Sequence, residues 1–426
     1  MKQAKTLISE LRNHQHTEWL KEIYLDESLL DYQEERYAAA VERYEEIFGE
    51  GEVEIYSAPG RSEVGGNHTD HQFGCVLATS INLDAIAVVS RQEKYIEVLS
   101  QGYEMITIGL DDLEKKEEEI GTTMALIRGM AAKLKEAGYE IGGFRAYITS
   151  DVLEGAGLSS SAAFETIIGT ILSGLYNDMT ISPVLIAQAG QYAENVYFGK
   201  PCGLMDQMAC SVGGLINIDF ADPQTPVMKK VDVEFEDYHH SLCIVDTKGS
   251  HADLTGEYAA IPAEMKAVAH TFGEEVLRRV DEKEFFKAIP ALRKELGDRP
   301  VLRAMHFFEE NKRVGQQVAA LNEGRFQDFL QLVKESGNSS FKYLQNVYTN
   351  QDVQNQSVSI GLAAAETVLE GHGVSRVHGG GFAGTIQIFV EDAYVPEVRE
   401  AMDSVFGEGA CHVLKVRSYG GMKVFA

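Results

Sequence analysis

One short span of the chain, residues 57–77, concentrates polar side chains that can bind a ligand. It reads SAPGRSEVGGNHTDHQFGCVL and holds one arginine, two histidines, one aspartate and one glutamate among several glycines. Apolar, β-branched segments flank it on both sides, VEIYSAP before and VLATSINLDAIAVVSR after, and both are typical of strands. Hydrogen-bonding groups held between strands indicate a site for a polar ligand, because a ligand that leaves them unpaired is rejected.

A glycine loop that runs into a helix suits a second kind of chemistry, the binding of phosphate. In LEGAGLSSSAAFETIIG, residues 153–169, Gly155 and Gly157 predict a turn, and an apolar-periodic helix begins near Ser160. Unpaired backbone N–H groups at such a helix start attract an anion. The alternative is an ordinary serine-capped helix after a glycine turn. The segment is neither a Walker loop, since no lysine follows the last glycine, nor a dinucleotide fingerprint.

One carboxylate lies in a second glycine-containing loop, and another lies on the predicted helix before it. KPCGLMDQM, residues 200–208, carries Asp206, and Glu194 lies twelve positions earlier on a predicted helix. Each acid alone is typical of a turn or a helix cap. Beside an anion site, one would bind magnesium and the other would orient or deprotonate an attacking hydroxyl. A triple glycine in RVHGGGFAGTIQIFV, residues 376–390, indicates a bulge or a tight bend before a strand.

The elements that must position these residues follow from the hydrophobic periodicity. Residues 1–48 predict helix, and short strands, a helix and a further strand follow up to about residue 152. The second half is mostly helical between about 257 and 370 and ends in strands and one more helix. The pattern predicts a β-rich domain over residues 1–210 and an α+β domain over residues 211–426.

Composition restricts the function. The chain has 426 residues, 44% of them hydrophobic, and a formal net charge of −27 without any run of lysine and arginine. Nucleic acid and anionic membranes are therefore excluded as partners. Charges interrupt every apolar run well short of the roughly 18 residues that span a bilayer. With five irregularly spaced cysteines and no C-x-x-C pair, the sequence predicts a cytoplasmic protein with unpaired thiols.

Taken together and in order, the motifs resemble those of a known family. APGR…GNHTDH, GAGLSSSAA, CGLMDQ and GGGFAGT are similar to the motifs of the galactokinase branch of the GHMP small-molecule kinases. The similarity extends from about residue 35 to the closing GGMKVFA. It implies an α+β, two-domain fold with a ribosomal S5-like N-terminal domain, a ferredoxin-like C-terminal domain, and the active site between them.

The same resemblance implies a reaction and its residues. The enzyme would transfer a phosphoryl group from ATP to the anomeric C1 hydroxyl of galactose, with Asp206 as the catalytic carboxylate and Arg61 as its cationic partner. Ser161 and Glu194 would be the ligands of Mg²⁺. The triphosphate would lie on residues of the glycine loop: Gly155, Ala156, Gly157, Leu158, Ser159, Ser160 and Ser161. The sugar would contact Asn67, His68, Asp70, Gly203 and Tyr258.

Departures from the family pattern leave the substrate open. Asn67 stands where galactokinases have a glutamate that faces the C6 hydroxyl, and His71 replaces a tyrosine. Glu63 stands in place of asparagine, His378 in place of threonine, and Ala383 in place of glycine. Losing the glutamate removes repulsion toward galacturonate and matters little for L-arabinose, so both sugars remain alternatives. A non-catalytic sugar and ATP sensor is an alternative of another class, although the serine motif is intact. We expect a monomer or a weak homodimer.

Overall fold

The structure is a computed structural model that describes residues 1–153, 157–233, 235–250 and 254–425. Two residues of the predicted phosphate loop, Gly155 and Ala156, lie outside this part of the chain. Within it, no helix has the length and apolar character that crossing a bilayer requires.

Runs of helices and runs of strands follow one another along the chain, which is an α+β pattern, as predicted. The strands are β1 Lys2–Gln3, β2 Glu52–Gly65, β3 Cys75–Gln92, β4 Tyr95–Ser100, β5 Ile106–Gly109, β6 Gly143–Ser150, β7 Leu215–Asp219, β8 Val227–Lys230, β9 His240–Asp246, β10 Gly373–His378, β11 Thr385–Glu391, β12 Cys411–Leu414 and β13 Met422–Phe425. The helices are α1 Ala4–Arg12, α2 Thr17–Tyr24, α3 Leu30–Phe48, α4 Thr123–Glu136, α5 Ser160–Tyr176, α6 Pro183–Tyr192, α7 Met205–Val212, α8 Thr255–Thr271, α9 Glu282–Leu296, α10 Asp298–Asn322, α11 Phe326–Ser339, α12 Ser357–Leu369 and α13 Val395–Phe406.

The larger sheet of the described chain has nine strands around the long pair β2 and β3. Its main order is β1-β2-β3-β6-β4-β5, with β13 on β2, β7 on β3 and β8 on β7. All of these pairs are antiparallel except β4 with β6. Helices α1 to α3 cover one face through an apolar cluster that includes Leu20, Tyr37 and Val41, and α4 to α6 cover the other. The predicted N-terminal helix is thus three helices.

Helix α5 lies at the centre of the molecule and begins at Ser160, where the sequence predicts its start. Nearly all of its side chains are buried, because it packs against β2, β3 and three neighbouring helices. Two glycines allow this close packing. A Cβ at Gly169 would lie 2.6 Å from a side-chain carbon of Ile186, and one at Gly174 would lie 2.3 Å from the Tyr56 hydroxyl. The buried helix fixes the position of the loop that precedes it.

A smaller, four-stranded sheet has the order β10-β11-β9-β12 and packs against α12 and α13. The helical stretch predicted between 257 and 370 is confirmed as α8 to α12. The domain division at residue 210 stays a prediction, and β7, β8 and β13, all beyond it in the chain, pair within the larger sheet.

A buried carboxylate joins the two ends of the chain to the sheet. Asp84 on β3 is fully buried and accepts hydrogen bonds from Arg36 on α3 at 2.7 Å and from Arg417 at 2.9 Å. Tyr24 donates to the same carboxylate at 2.8 Å. Although burial raises the pKa of Asp84, the two guanidinium groups lower it below its usual value, so the carboxylate stays ionised.

Candidate active site

The side chains of Arg61 and Asp206, which are 145 positions apart in the chain, form a bidentate ion pair. Arg61 Nε donates to Asp206 Oδ1 at 2.8 Å, and an Arg61 terminal nitrogen donates to Oδ2 at 2.7 Å. Arg61 lies on β2, and Asp206 is in the first turn of α7, where the helix dipole favours a negative charge. Two parallel N–H···O bonds fix the carboxylate in one orientation.

Local irregularity of β2 aims Arg61 at this position. The pairing of β2 with β3 shifts register between Pro59 and Arg61, and a bulge of this kind redirects a side chain. The Arg61 backbone N–H leaves the sheet and donates to the Leu158 carbonyl at 3.0 Å. Gly60 permits this approach, because a Cβ there would lie 2.9 Å from the same carbonyl oxygen. The strand and the glycine loop are thereby joined.

Electrostatics keep Asp206 ionised. Burial raises its pKa, but the adjacent Arg61 charge and hydrogen bonds, together with the Ser159 hydroxyl at 2.6 Å, lower the pKa below the usual aspartate value. The pKa of Arg61 is raised, since the nearby carboxylate outweighs the cost of burial. The site therefore presents a fixed carboxylate at every pH near neutrality.

A cavity of about 230 Å³ opens beside this pair at the start of α5. Its walls include Gly157, the three serines Ser159, Ser160 and Ser161, and the acidic residues Glu194 and Asp206. The first backbone N–H groups of α5 have no partner within the helix, and the serine hydroxyls add further donors. Leu158 is buried behind the loop. The cavity has the chemistry of a phosphate site, and Ser159 is held by Asp206 rather than left free.

The residues predicted to bind Mg²⁺ lie together on this cavity. Ser161 and Glu194 both line it. The sequence predicts one continuous helix through Glu194, but α6 ends at Tyr192 and a π-helical turn, Ala193–Phe198, places the glutamate inward. Glu194 Oε2 accepts a 3.0 Å hydrogen bond from Gln207. A hydroxyl and a carboxylate beside phosphate oxygens fit a magnesium ion, which takes few protein ligands and completes its shell with phosphate and water.

A larger cavity of about 600 Å³ adjoins the first one. Arg61 and Cys202 line both, so the ion pair lies where the two cavities meet. Four of the predicted sugar contacts, Asn67, His68, Asp70 and Gly203, line the larger cavity. A reacting hydroxyl in it would therefore lie next to Asp206 and the phosphate cavity.

Close contacts and burial determine the properties of three of these residues. Gly203 is required next to Asp70, because a Cβ at position 203 would lie 2.2 Å from an Asp70 carboxylate oxygen. Burial raises the pKa of Asp70 to about 6. His68 has a left-handed backbone with φ of 57°, and its Nε2 donates to the Gly380 carbonyl at 3.1 Å. Burial lowers the pKa of His68, so the ring is neutral and can hydrogen-bond a polar ligand.

The side-chain amide of Asn67 was expected to face the ligand, but its hydrogen-bonding groups are occupied by the protein. Its Nδ2 donates to Glu63 Oε1 at 3.1 Å and to the Gly379 carbonyl at 2.8 Å. Its Oδ1 accepts from Ser340 at 3.2 Å and from Asn346 at 2.9 Å. The protein thus occupies all the hydrogen-bonding positions of this amide.

The carboxylate that the sequence comparison treats as lost is present at a neighbouring position. Glu63 lines the larger cavity and forms a buried ion pair with Arg376 on β10. Relative to the family pattern, asparagine and glutamate have exchanged places at 63 and 67. The cavity therefore keeps a carboxylate at position 63, and Arg376 neutralises its charge.

Three further residues named from the sequence lie at different distances from the larger cavity: Tyr258, His71 and His378. Tyr258 lies behind the wall: its hydroxyl donates to the Gly381 carbonyl at 2.8 Å, and its ring packs on Gly380, which does line the cavity. His71 lines the cavity directly, and its Nε2 is buried without a hydrogen-bond partner among the described residues. His378 is buried between Ser62 and Thr385 at 3.1 and 3.0 Å, outside both cavity walls.

Two lysines on the cavities were not singled out from the sequence. Lys200 lines the smaller cavity and Lys266, on α8, lines the larger one. Lys200 lies two residues before the CGLMDQ motif, and its closeness to that motif could have identified it as a candidate site residue. Lys266 carries no such signal, since α8 comes from a distant part of the chain.

Comparisons with known proteins agree with this geometry. Residues 125–214 match the family model "GHMP kinases N terminal domain", and residues 42–91 match "Galactokinase galactose-binding signature". The galactokinase of Streptomyces coelicolor is 30% identical over 373 residues, covering 86% of this chain and 92% of the relative. A galactokinase of Lactococcus lactis subsp. lactis is 29% identical over 388 residues, covering 87% of this chain and 92% of the relative.

Solved structures support the same assignment. Lactococcus lactis galactokinase complexed with galactose superposes with a TM-score of 0.76 at 26% identity, covering 91% of this chain and all of that one. A mevalonate kinase at 16% identity shares the fold alone, with a TM-score of 0.59. The fold and the cleft are those of a GHMP kinase, a phosphotransferase, as the motifs predict. Within that class, the chain belongs to the galactokinase family.

Proposed function

We propose that the protein is a sugar 1-kinase that phosphorylates the C1 hydroxyl of galactose with ATP and yields α-galactose 1-phosphate and ADP. The observation that carries this proposal is the Arg61–Asp206 ion pair at the junction of a phosphate-type cavity and a larger polar cavity. The family relationship and the galactose named for the Lactococcus lactis structure support the choice of sugar.

The geometry suggests how this chain's residues act. Asp206 accepts a hydrogen bond from the C1 hydroxyl and aligns its oxygen with the terminal phosphoryl group. The new O–P bond forms as the bond to ADP breaks, and the hydroxyl proton passes to Asp206. Because Arg61 lowers the pKa of Asp206, alignment contributes more than proton abstraction, which suits a loose phosphoryl-transfer transition state. Mg²⁺, held by Ser161 and Glu194, would neutralise phosphate charge.

The sugar would lie in the larger cavity. Asp70 accepts hydrogen bonds from hydroxyl groups, and His68 presents a neutral ring. Gly203 leaves the space that Asp70 needs, Asn67 holds the cavity wall in place, and Tyr258 supports the glycine turn at 379–381. The loop from Gly157 to Ser161 would hold the triphosphate, and Gly155 and Ala156 would extend it. We propose a monomer or weak homodimer of the cytoplasm, where the five free cysteines stay reduced.

Galacturonate remains a second candidate because of one feature of the larger cavity. Lys266 is exposed on its wall and forms no ion pair within the described residues, whereas Arg61 and Glu63 are both neutralised by partners. His71 adds a second donor or acceptor on the same wall. An unneutralised ammonium favours a substrate with a carboxylate.

A panel of sugars tests the proposal. ADP formation is measured with galactose, galacturonate and L-arabinose at saturating ATP, and kcat/KM is compared. We expect the highest value for galactose. A higher value for galacturonate, reduced by Lys266→Met while galactose turnover is unchanged, would select the second candidate. Binding of ATP and sugar without ADP formation on any sugar would instead identify a sensor.

A further inference from the structure

Two cationic side chains line the smaller cavity, and only one of them is held by several hydrogen bonds within the protein. Arg61 and Lys200 are the lysine or arginine residues on the described part of its wall. The Arg61 guanidinium already donates to both Asp206 oxygens and to the Gly157 carbonyl. These bonds use three of the five N–H donors and engage all three nitrogens, so the guanidinium is held against Asp206 and Gly157, where it keeps Asp206 ionised and oriented.

Lys200 has a different set of contacts. It follows the π-helical turn and Gly199, whose φ of 85° turns the chain toward the cavity. Its side chain is 64% exposed, and Nζ lies 3.3 Å from Glu194 Oε1. This is one long hydrogen bond for an ammonium that has three donors. A half-exposed pair of this length contributes little to stability, so the side chain can leave it at low cost.

The loop that carries Lys200 is anchored at Lys200 itself and at Cys202, so the backbone position of the lysine is fixed. The Lys200 N–H donates to the Glu194 carbonyl at 3.0 Å. The Cys202 backbone N–H donates to Asn195 at 2.6 Å, and Gln191 donates to the Cys202 carbonyl at 3.4 Å. Glu194 itself is held by Gln207 through its other oxygen. The flexible part is the aliphatic stem of Lys200, which can move the ammonium between Glu194 and the cavity.

We propose that Lys200 is a phosphate-binding catalytic residue of this kinase, whose ammonium contacts the terminal phosphate groups of ATP and stabilises their negative charge while Arg61 is held against Asp206. The proposal rests on the proposed function, since it assumes that ATP occupies this cavity. It divides the roles of the two cations: Arg61 acts on Asp206, and Lys200 acts on the nucleotide.

Nucleotide affinity in the absence of magnesium tests this role directly. Dissociation constants for ATP and AMP are measured by equilibrium dialysis in EDTA for the wild type, Lys200→Met and Lys200→Arg. We expect Lys200→Met to weaken ATP binding about tenfold or more, as for a lost charge-assisted hydrogen bond, and to leave AMP binding unchanged. Lys200→Arg should retain most of the ATP affinity, and kcat should fall with Lys200→Met.

Lys287→Met is the matched control. Lys287 is 72% exposed, pairs with Glu284 at 2.8 Å, and lines neither cavity. Its replacement should change neither affinity. If Lys200→Met leaves ATP affinity unchanged, or weakens ATP and AMP equally, the proposal is wrong. If the wild type still binds ATP and phosphorylates sugar, such a result overturns only the role of Lys200 and leaves the proposed function intact. If the wild type binds no ATP, the role of Lys200 and the proposed function are both wrong.

Discussion

The exchange of asparagine and glutamate at positions 63 and 67 makes a specific prediction about paired substitutions. Asn67→Glu alone places a second carboxylate where an amide now donates to Glu63 at 3.1 Å. At that separation and an effective dielectric constant of about 20, two unit charges repel by about 5 kcal/mol. The Gly379 carbonyl also loses its donor, at a cost of about 1–3 kcal/mol. Protonation of one of the two carboxyl groups would limit the sum of these costs. We therefore expect the free energy of unfolding to fall by about 3–5 kcal/mol.

Glu63→Asn alone should be similarly costly, because it leaves the buried Arg376 guanidinium without its carboxylate. The double variant, Glu63→Asn with Asn67→Glu, restores one amide and one carboxylate. We expect it to be more stable than the sum of the single losses by about 2 kcal/mol or more. The free energy of unfolding is measured in urea for the four proteins of this cycle.

The control is Gln92→Glu, which also replaces an amide by a carboxylate next to a glutamate, but at a partly exposed contact and without a change in side-chain length. Gln92 donates to Glu97 at 2.8 Å, and Arg145 pairs with the same carboxylate. Solvent screens this site, so the loss should stay below about 1 kcal/mol. The inference that residues 63 and 67 act as one pair would be refuted by either of two results. The losses of unfolding free energy in the two single variants could add up to that of the double variant, or Asn67→Glu alone could leave the stability unchanged.

Two predictions concern pH. Burial lowers the pKa of His306 to about 4. As the pH falls below about 6.5, the unfolded chain therefore binds this proton before the folded chain does. The free energy of unfolding should fall by about 3 kcal/mol between pH 6.5 and pH 4. Urea unfolding of His306→Gln, which keeps hydrogen bonds to Ser339 and the Asn67 carbonyl, should lose that segment of the pH dependence; an identical slope would contradict the assignment. Burial raises the pKa of Asp70 to about 6. If its carboxylate accepts hydrogen bonds from sugar hydroxyl groups, as we propose, kcat/KM for the sugar should rise with pH through about 6. Asp70→Asn should lower kcat/KM and remove this limb, and persistence of the limb would exclude Asp70 as its source.

The motifs predicted the centre of the site because each contains its own local signal. The start of α5 at Ser160 follows from a glycine turn before an apolar period, and the structure brings Asp206 to Arg61 as the resemblance implies. The hydrogen bonds around Asn67 could not be predicted in this way. They come from Ser340, Asn346 and the glycine turn at 379, which are more than 270 positions away and carry no periodic pattern.

Two further features of the site could not be predicted from local sequence: the end of helix α6 before Glu194 and the position of the carboxylate in the larger cavity. The sequence predicted a helix through Glu194, whereas in the structure a π-helical turn, Ala193–Phe198, follows α6 and the glutamate lines the cavity. A single-residue comparison suggested that the sugar site had lost a carboxylate. Only the structure shows that the carboxylate of Glu63, on β2, lines the cavity and is paired with Arg376, on β10.

The most direct test of the central claim is the rate at which purified protein forms galactose 1-phosphate from galactose and ATP, compared between the wild type and Asp206→Asn. Product is followed by phosphorus NMR, and ATP affinity is measured alongside. If Asp206 aligns the reacting hydroxyl, kcat should fall by about 10²–10⁴-fold while ATP affinity changes little. A variant that forms the product at nearly the wild-type rate would contradict the account.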